Sequence, residues 1–336
     1  MRMIKIGLDA MGGDFAPKEA VLGAYAAVEK FQDIEINLYG IENEIRKFMK
    51  NEHERIKIVH CEDVIPMDVK EPALAIRRQK DSSLVRVCKD AKEGAVDAVV
   101  SAGATGALIA AGTLVVKRLK AVERPALAPI MPTINNQYTV LCDAGATSEA
   151  KPQYLYQNAK IASIYVKEVL HIENPRVGLL NIGTEEGKGT ELQKEAYKLI
   201  SEDKEINFIG NVESKSMLTG EVDVIVADGY SGNIALKATE GAASSIFKLL
   251  KSELMSSTTG KIGGLLLKGV FSKIKDKMDA SAVGGAILLG LSAPVIKAHG
   301  SSDHIAIMNA IRQARETVNQ DVIAKISQAL TKEDQS

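Results

Sequence analysis

The sequence predicts an α/β fold, with a mainly parallel sheet covered by helices on both faces. Short β-like runs alternate with helical patterns along most of the 336 residues. Several runs are solidly apolar rather than alternating, among them 98–101 and 139–142, as burial of both sheet faces requires. Many end in glycine- and hydroxyl-rich turns, the chemistry expected where the strands of an open sheet hand over to helices.

In order, β-branched and apolar runs predict strands at 4–8, 34–39, 56–60, 98–101, 126–130, 139–142, 176–181, 207–209 and 222–227. Helical apolar spacing between them predicts helices at 18–31, 42–50, 83–92, 105–119, 153–169, 191–201 and 233–255. From 238 to 279 the chain reads as helical, with a glycine-rich interruption at 260–264. Gly284 and Gly285, a short apolar run and a last helix at about 303–319 follow, and 331–336 is expected to fray. Residues 1–330 are expected to form one catalytic unit, with a soft composition break near 150. No repeat or low-complexity linker divides it.

Composition removes several function classes. Lys and Arg total 42 against 43 Asp and Glu, a net charge of −1, so no global basic field holds nucleic acid. Aromatics are 4% with no Trp, which leaves no base-stacking platform. The cysteines, Cys61, Cys88 and Cys142, are odd in number and form no CxxC, as in a reducing compartment. Five scattered histidines without HExxH give a metal site little support. The N-terminus enters a strand directly, with no signal-peptide pattern. The long apolar stretch 102–116 is shorter than the ~18–20 residues of a membrane span and reads as a buried helix.

The turns carry the chemistry. They are 9–14, 101–106, 143–146, 181–189, 228–233 and 297–303, and they are expected to share one rim of the sheet as an anion cradle. Nucleotide motifs do not fit them. Ser101 stands where GxGxxG needs its first glycine. The 183–189 turn is one residue short of the Walker A spacing and has Gly189 where a Ser or Thr belongs.

Seven segments together have a familiar look: DAMGGD at 9–14, SAGATGAL at 101–108, RPALAP at 124–129, GLLNIGTEEGKG at 178–189, FIGNVE at 208–213, ADGYSGNIALK at 227–237 and KAHGSSD at 297–303. In these, across nearly its whole length, the chain resembles the bacterial phosphate acyltransferase (PlsX) family. The resemblance implies an isocitrate/isopropylmalate dehydrogenase-like fold shared with phosphotransacetylases. It implies transfer of a fatty acyl group from acyl carrier protein (ACP) to inorganic phosphate, giving acyl phosphate for phospholipid synthesis. It also implies a cytoplasmic homodimer held peripherally at the inner face of the cell membrane.

The residues make sense of that reaction. A thioester is already activated and its thiol is a good leaving group, so positioning and hydrogen-bond donors suffice, with no cofactor, metal or covalent nucleophile. Lys188 is the candidate phosphate-orienting cation. Asn233 is a candidate donor to phosphate or to the thioester carbonyl, with a plain helix N-cap as the alternative. His299 is a candidate proton carrier to the leaving thiolate, or a structural histidine. Candidate phosphate- and substrate-binding residues are Gly12, Gly13, Ser101, Gly103, Thr105, Gly106, Asn181, Gly183, Thr184, Glu185, Ser231, Gly232, Ser301 and Ser302. Asp9 and Asp14 read as loop organisers, because acids repel phosphate. Cys142 lies inside an apolar strand and reads as inert.

Two features concern partners. Arg77, Arg78 and Lys80, with Arg86, Lys89 and Lys92, form a basic cluster suited to an acidic carrier protein, with Lys117, Arg118, Lys120 and Arg124 as a rival patch. Residues 262–278 carry a stripe of Ile262, Leu266, Val270, Ile274 and Met278, widened by Leu267 and Phe271 and flanked by lysines. Leu266, Leu267, Val270 and Phe271 are the candidate contacts to an anionic membrane, on a protruding segment at 238–279. Packing on a dimer partner is the alternative. Rival functions are a CoA-dependent phosphate acetyl- or butyryltransferase, an NAD-type dehydrogenase on the same fold, and a membrane-surface scaffold.

Overall fold

A computed structural model describes residues 2–277 and 283–333 of the chain. The elements run β1 (Ile4–Asp9), α1 (Lys18–Lys30), β2 (Ile34–Gly40), α2 (Glu42–Arg46), β3 (Ile56–His60), α3 (Pro72–Arg78), α4 (Ser83–Glu93), β4 (Ala98–Ser101), α5 (Thr105–Ala111), β5 (Ala126–Pro132), β6 (Tyr138–Cys142) and α6 (Pro152–Leu170). They continue with β7 (Val177–Asn181), α7 (Glu191–Glu202), β8 (Phe208–Glu213), β9 (Val224–Val226), α8 (Gly229–Ser256), α9 (Thr258–Leu266), α10 (Lys268–Lys277), β10 (Ala286–Leu289), β11 (Val295–Lys297), α11 (His304–Asn319) and α12 (Val322–Glu333).

Eleven strands form one sheet in the order β3-β2-β1-β4-β11-β10-β5-β6-β9-β7-β8. Seven of the ten described strand pairs are parallel. The three antiparallel pairs, β11 with β10, β10 with β5 and β5 with β6, lie together in the middle. One apolar cluster joins β1, β2 and β4 to α1, α6 and α11. A second packs α4 and α5 with Val99, Leu127, Leu288 and Val295, so alternate residues of the same strands serve opposite sheet faces.

Three inversions in the middle reverse the strand direction between the halves. The turns after β1, β4 and β11 therefore leave one edge of the sheet, and those after β6, β7 and β9 leave the other. The expectation of one rim is corrected: there are two sets of three turns. Pairing direction is a long-range property that no local pattern encodes.

Other boundaries also shift. The short apolar run after Gly285 forms β10 and β11, and α3 and α12 were not expected. The helix foreseen at 105–119 ends at Val116 in one wide turn, closed by Lys117 N–H on the Gly112 carbonyl at 2.8 Å, with Lys117 at φ 73°. Thr331 to Glu333 belong to α12 rather than fraying; 334–336 lie outside the described residues.

The glycines at 260–264 do not interrupt a helix. Gly260, Gly263 and Gly264 lie within α9, and the breaks fall at Ser257 and Leu267. Ser257 is extended, and its Oγ accepts from Gly260 N–H at 2.9 Å. A Cβ on Gly260 would stand 2.5 Å from the Leu254 carbonyl oxygen, so the glycine lets α9 fold back on the end of α8. The single amphipathic segment expected at 262–278 is therefore two short helices; Met278 lies outside the described residues.

Of the 28 residues of α8, only Gly229 and Gly232 are buried, and α9 buries none. Ile246, Leu249, Ile262, Leu265, Leu266 and Val270 are all at least half exposed, Leu266 to 80%. Leu267 is exposed and Phe271 is half-buried. Beyond its start, the segment from α8 to α10 thus leaves most of its described residues exposed.

Candidate active site

The turn after β6 is built on a buried acid. The Asp143 carboxylate accepts from the backbone N–H groups of Leu127, Gly145, Ala146 and Thr147, at 2.8 to 3.0 Å. Burial pushes its pKa up, and the four donors pull the other way. The start of α8 rests on this knot. A Cβ on Gly232 would lie 2.0 Å from the Asp143 carbonyl oxygen, and one on Gly229 2.4 Å from that of Thr147. Only glycine allows so close an approach.

Asp228 caps α8, accepting from Ser231 N–H at 2.9 Å. Asn233 is thus inside the helix, not its N-cap, and its side chain is exposed beside Gly145. A Cβ on Gly145, at φ +128°, would be 3.3 Å from Asn233 Cγ.

The turn after β7 presents Lys188. Asn181 organises it, donating Nδ2–H to the Lys188 carbonyl at 3.0 Å and accepting from Ile182 N–H at 2.8 Å. Asn211, from β8, donates to the Glu185 carbonyl at 2.8 Å. Thr184, Glu185 and Lys188 are exposed, and the side chains of Glu185 and Lys188 both lie against Gly183. Gln193, in the first turn of α7, reaches Asp228 at 3.5 Å, linking the Lys188 turn to the start of α8. Lys188 and Asn233 therefore stand on neighbouring turns of one edge, while Asn181 is spent on the loop itself.

The other set of turns is built on Asp9. Its carboxylate accepts from Ser83 Oγ and Ser101 Oγ, each at 2.7 Å, and from Met11 N–H at 3.3 Å. Burial raises its pKa against those donors. Ser101 Oγ also accepts from Gly103 N–H at 3.0 Å, so this buried serine holds the turn together and offers no free donor. Gly12 and Gly103 are packed backbone to backbone, since a Cβ on Gly12 would be 2.6 Å from Gly103 N. Asp14 N–H bonds the Gly300 carbonyl at 2.8 Å, which ties in the 297–303 turn next to Gly13.

Thr105 and Gly106 are exposed at the start of α5. His299 is exposed, and its Nδ1 accepts from Ser301 N–H at 3.2 Å, which leaves Nε2 to carry the proton of the neutral ring. Ser231 and Ser301 are exposed, and Ser302 is buried with no hydrogen-bond partner for its Oγ.

Two features were missed by sequence reasoning. Lys297, the last residue of β11, is buried, and its Nζ donates to the carbonyls of Ala102 and Ala298. Its position at a strand's C-terminal end was a usable signal. The second is an open cavity of about 640 Å³ beside the Asp143 turn, lined by Arg124, Thr147, Ser148, Glu149, Lys151 and Tyr154 among others. Among the described residues, no group of three or more His, Cys, Asp or Glu is placed to hold a metal ion.

A family model described as a fatty acid synthesis protein matches residues 4–325. The phosphate acyltransferases of Bacillus cereus (strain G9842) and Bacillus thuringiensis (strain Al Hakam) are each 51% identical to this chain over 330 residues, covering 98% of it and 99% of each relative. The chain belongs to the phosphate acyltransferase family. It is an enzyme of fatty acid and phospholipid synthesis, a phosphate acyltransferase with phosphate and an acyl donor as substrates.

Solved structures show the same fold at low identity. A phosphotransacetylase from Streptococcus pyogenes superposes with a TM-score of 0.65 at 15% identity, over 95% of this chain and 94% of that one. A 4-hydroxythreonine-4-phosphate dehydrogenase from Klebsiella pneumoniae does so at 0.52 and 14% identity, over 95% and 100%. The fold expected from the resemblance to the acyltransferase family thus holds. No described helix of this acyltransferase is long and apolar enough to cross a membrane.

Proposed function

We propose that this acyltransferase takes its acyl group from acyl carrier protein and passes it directly to inorganic phosphate, at the turns that present Lys188 and Asn233. The observation that carries the proposal is their placement. Both are exposed on turns of the same sheet edge, joined through Gln193 and Asp228. Lys188 orients phosphate and Asn233 donates to the thioester carbonyl. A phosphate oxygen bonds to the carbonyl carbon, the C–S bond breaks, and the thiolate leaves with the electron pair. The proton given up by hydrogen phosphate ends on that thiolate, with His299 as its carrier.

Direct transfer is supported by the state of the cysteines. Cys61, Cys88 and Cys142 are all buried. Burial pushes the Cys61 thiol up to about 12 and raises Cys142 well above its ordinary value, so neither is a ready thiolate. Enzyme quenched during turnover of acyl-ACP and phosphate is expected to show acyl phosphate and no acyl adduct by mass spectrometry. A stable adduct on Cys142 or on a turn serine would overturn direct transfer.

Arg77, Arg78 and Lys80 remain exposed to meet the acidic carrier, whereas Arg86 is paired with Asp81. The exposed apolar residues of α9 and α10, beside Lys261, Lys268, Lys273 and Lys277, support peripheral contact with an anionic membrane at its cytoplasmic face. The bare length of α8 supports a homodimer. Two copies per dimer reinforce a contact that is weak per chain. Leu266→Glu with Phe271→Glu is expected to abolish flotation with anionic liposomes while activity in solution persists. Unchanged flotation would place the membrane contact elsewhere, and loss of the dimer would make this face a subunit interface.

A further inference from the structure

The open cavity beside the Asp143 turn takes no part in the transfer proposed above. One wall is the turn itself, from Ala146 to Ala150. The start of α6 supplies Lys151 and Tyr154, and Arg124 closes the cavity from the segment that leads into β5. Hydrogen bonds fix these walls. Gln157, on α6, accepts from Glu123 N–H at 3.1 Å and donates to the Ala121 carbonyl at 2.9 Å, which ties the segment carrying Arg124 to the first turns of the helix. Lys151 Nζ lies over the Tyr154 ring, 6.0 Å from its centroid.

The lining is polar, and its polar groups are unspent. Arg124 and Lys151 are exposed, and neither side chain makes an ion pair or hydrogen bond with another of the described residues. The hydroxyls of Thr147, Ser148 and Tyr154 likewise bond to none of them. Glu149 also lines the cavity, so two cations face one acid and the lining is positive on balance. The reacting groups adjoin it. Next to Ala146, a Cβ on Gly145 would be 3.3 Å from Asn233 Cγ, and the Thr147 carbonyl lies against Gly229 at the start of α8.

We propose that this cavity holds the 4′-phosphopantetheine arm of the acyl donor, with the arm's phosphate group on Arg124 and Lys151. This rests on the transfer site proposed above and extends it away from Asn233. The arm carries two amides and a hydroxyl, which match the hydroxyls of Thr147, Ser148 and Tyr154 and the Glu149 carboxylate as donors and acceptors. Its phosphate suits a guanidinium fork beside an ammonium. Sulfur and phosphorus are about 15 Å apart in the extended arm, taking ~1.2 Å of advance per bond. The phosphate therefore falls well away from the reacting carbon, while the amides cross the cavity.

Other parts of the substrates fit this space less well. A fatty acyl chain would cover three hydroxyls and three charges without bonding any of them. Inorganic phosphate alone would leave most of about 640 Å³ unfilled. Carrier protein and coenzyme A bear the same arm, so the cavity reads the arm and not its bearer. Both cations are exposed, and salt screens exposed charges. KM for the acyl donor is therefore expected to rise with ionic strength.

The test sets 4′-phosphopantetheine and pantetheine as inhibitors of the full-length enzyme against acyl-ACP. The phosphorylated compound is expected to compete with acyl-ACP and to bind ~10-fold more tightly than pantetheine, the low end for hydrogen bonds to a charged group. In the double variant Arg124→Gln with Lys151→Gln that advantage is expected to vanish, with KM for acyl-ACP raised ~10-fold and KM for inorganic phosphate unchanged. Both residues are exposed, so the variant is expected to fold. No advantage in the wild type overturns the proposal, and so does an advantage that survives in the double variant. A raised KM for acyl-ACP with the advantage intact would set the cations against the body of the carrier instead. A raised KM for phosphate would give the cavity to the acceptor. Turnover of acyl-CoA as fast as acyl-ACP, with the same sensitivity to the double variant, would keep the arm site and overturn the choice of carrier protein made above. Near-native kcat in Lys188→Ala or Asn233→Ala would overturn the transfer site, whereas the inhibitor comparison reads binding of the arm alone.

Discussion

Lys188→Ala and Asn233→Ala are each expected to lower kcat by about 10²–10³ while leaving the fold intact, the usual cost of one preorganised donor at a developing oxyanion. Both side chains are exposed, and neither makes a hydrogen bond or ion pair with another of the described residues. Truncation therefore removes no buried contact, and thermal unfolding should match the wild type within a degree or two. Asn233 approaches Gly145 with its side chain alone, so alanine widens the cleft without stranding a buried group. The measurement is single-turnover acyl phosphate formation at saturating phosphate and acyl-ACP. Near-native turnover in either variant removes that residue from the chemistry. A loss of turnover that tracks a lowered melting temperature would make its role structural.

Gly232→Ala is expected to be the most damaging single methyl in the cleft. The new Cβ would fall 2.0 Å from the Asp143 carbonyl oxygen, a backbone atom that cannot rotate away, and 3.2 Å from Ala227 Cβ. The start of α8 must lift. That pulls on the knot of four N–H donors around Asp143 and moves Asn233 away from Gly145. Overpacking of this kind costs about 1–3 kcal/mol, and a displacement of about 1 Å at a reacting centre costs ~10²-fold in rate. A melting temperature several degrees lower and a 10²-fold fall in kcat are expected together. Gly263→Ala is the control, because a Cβ there meets nothing within 4 Å. A Gly232→Ala enzyme with wild-type melting and turnover would show that α8 is not seated on Asp143.

The legible parts of the site were those carried by short contiguous segments. The Gly12-Gly13, Gly103 and Gly183–Lys188 turns could be seen because glycine, hydroxyl and amide residues cluster where a strand stops. Asp9 was rightly taken as an organiser, since an acid among phosphate donors has no other use there. Ser101 and Asn181 were expected to face substrate, yet their partners are the neighbouring turns. Sequence marks a polar residue at a strand end but not whether a second loop will reach it first. Lys297 was overlooked because an apolar strand ending in lysine reads as a chain leaving the core, whereas here the ammonium stays inside.

By itself the sequence determined the fold class, most of the strands, the family and the glycine-rich turns on which the candidate site is placed. Each is written in local patterning: apolar runs, helical spacing and turn residues within a few positions of one another. Only the tertiary structure decided strand direction across β10, β5 and β6, and with it the division of six turns into two sets. It also decided that α8 starts on Asp143, and that the lysine-flanked stripe is two helices rather than one. These outcomes depend on which distant segments pack together. Backbone hydrogen bonding, glycine clearance and charge at short range select among arrangements that local patterning leaves equally open.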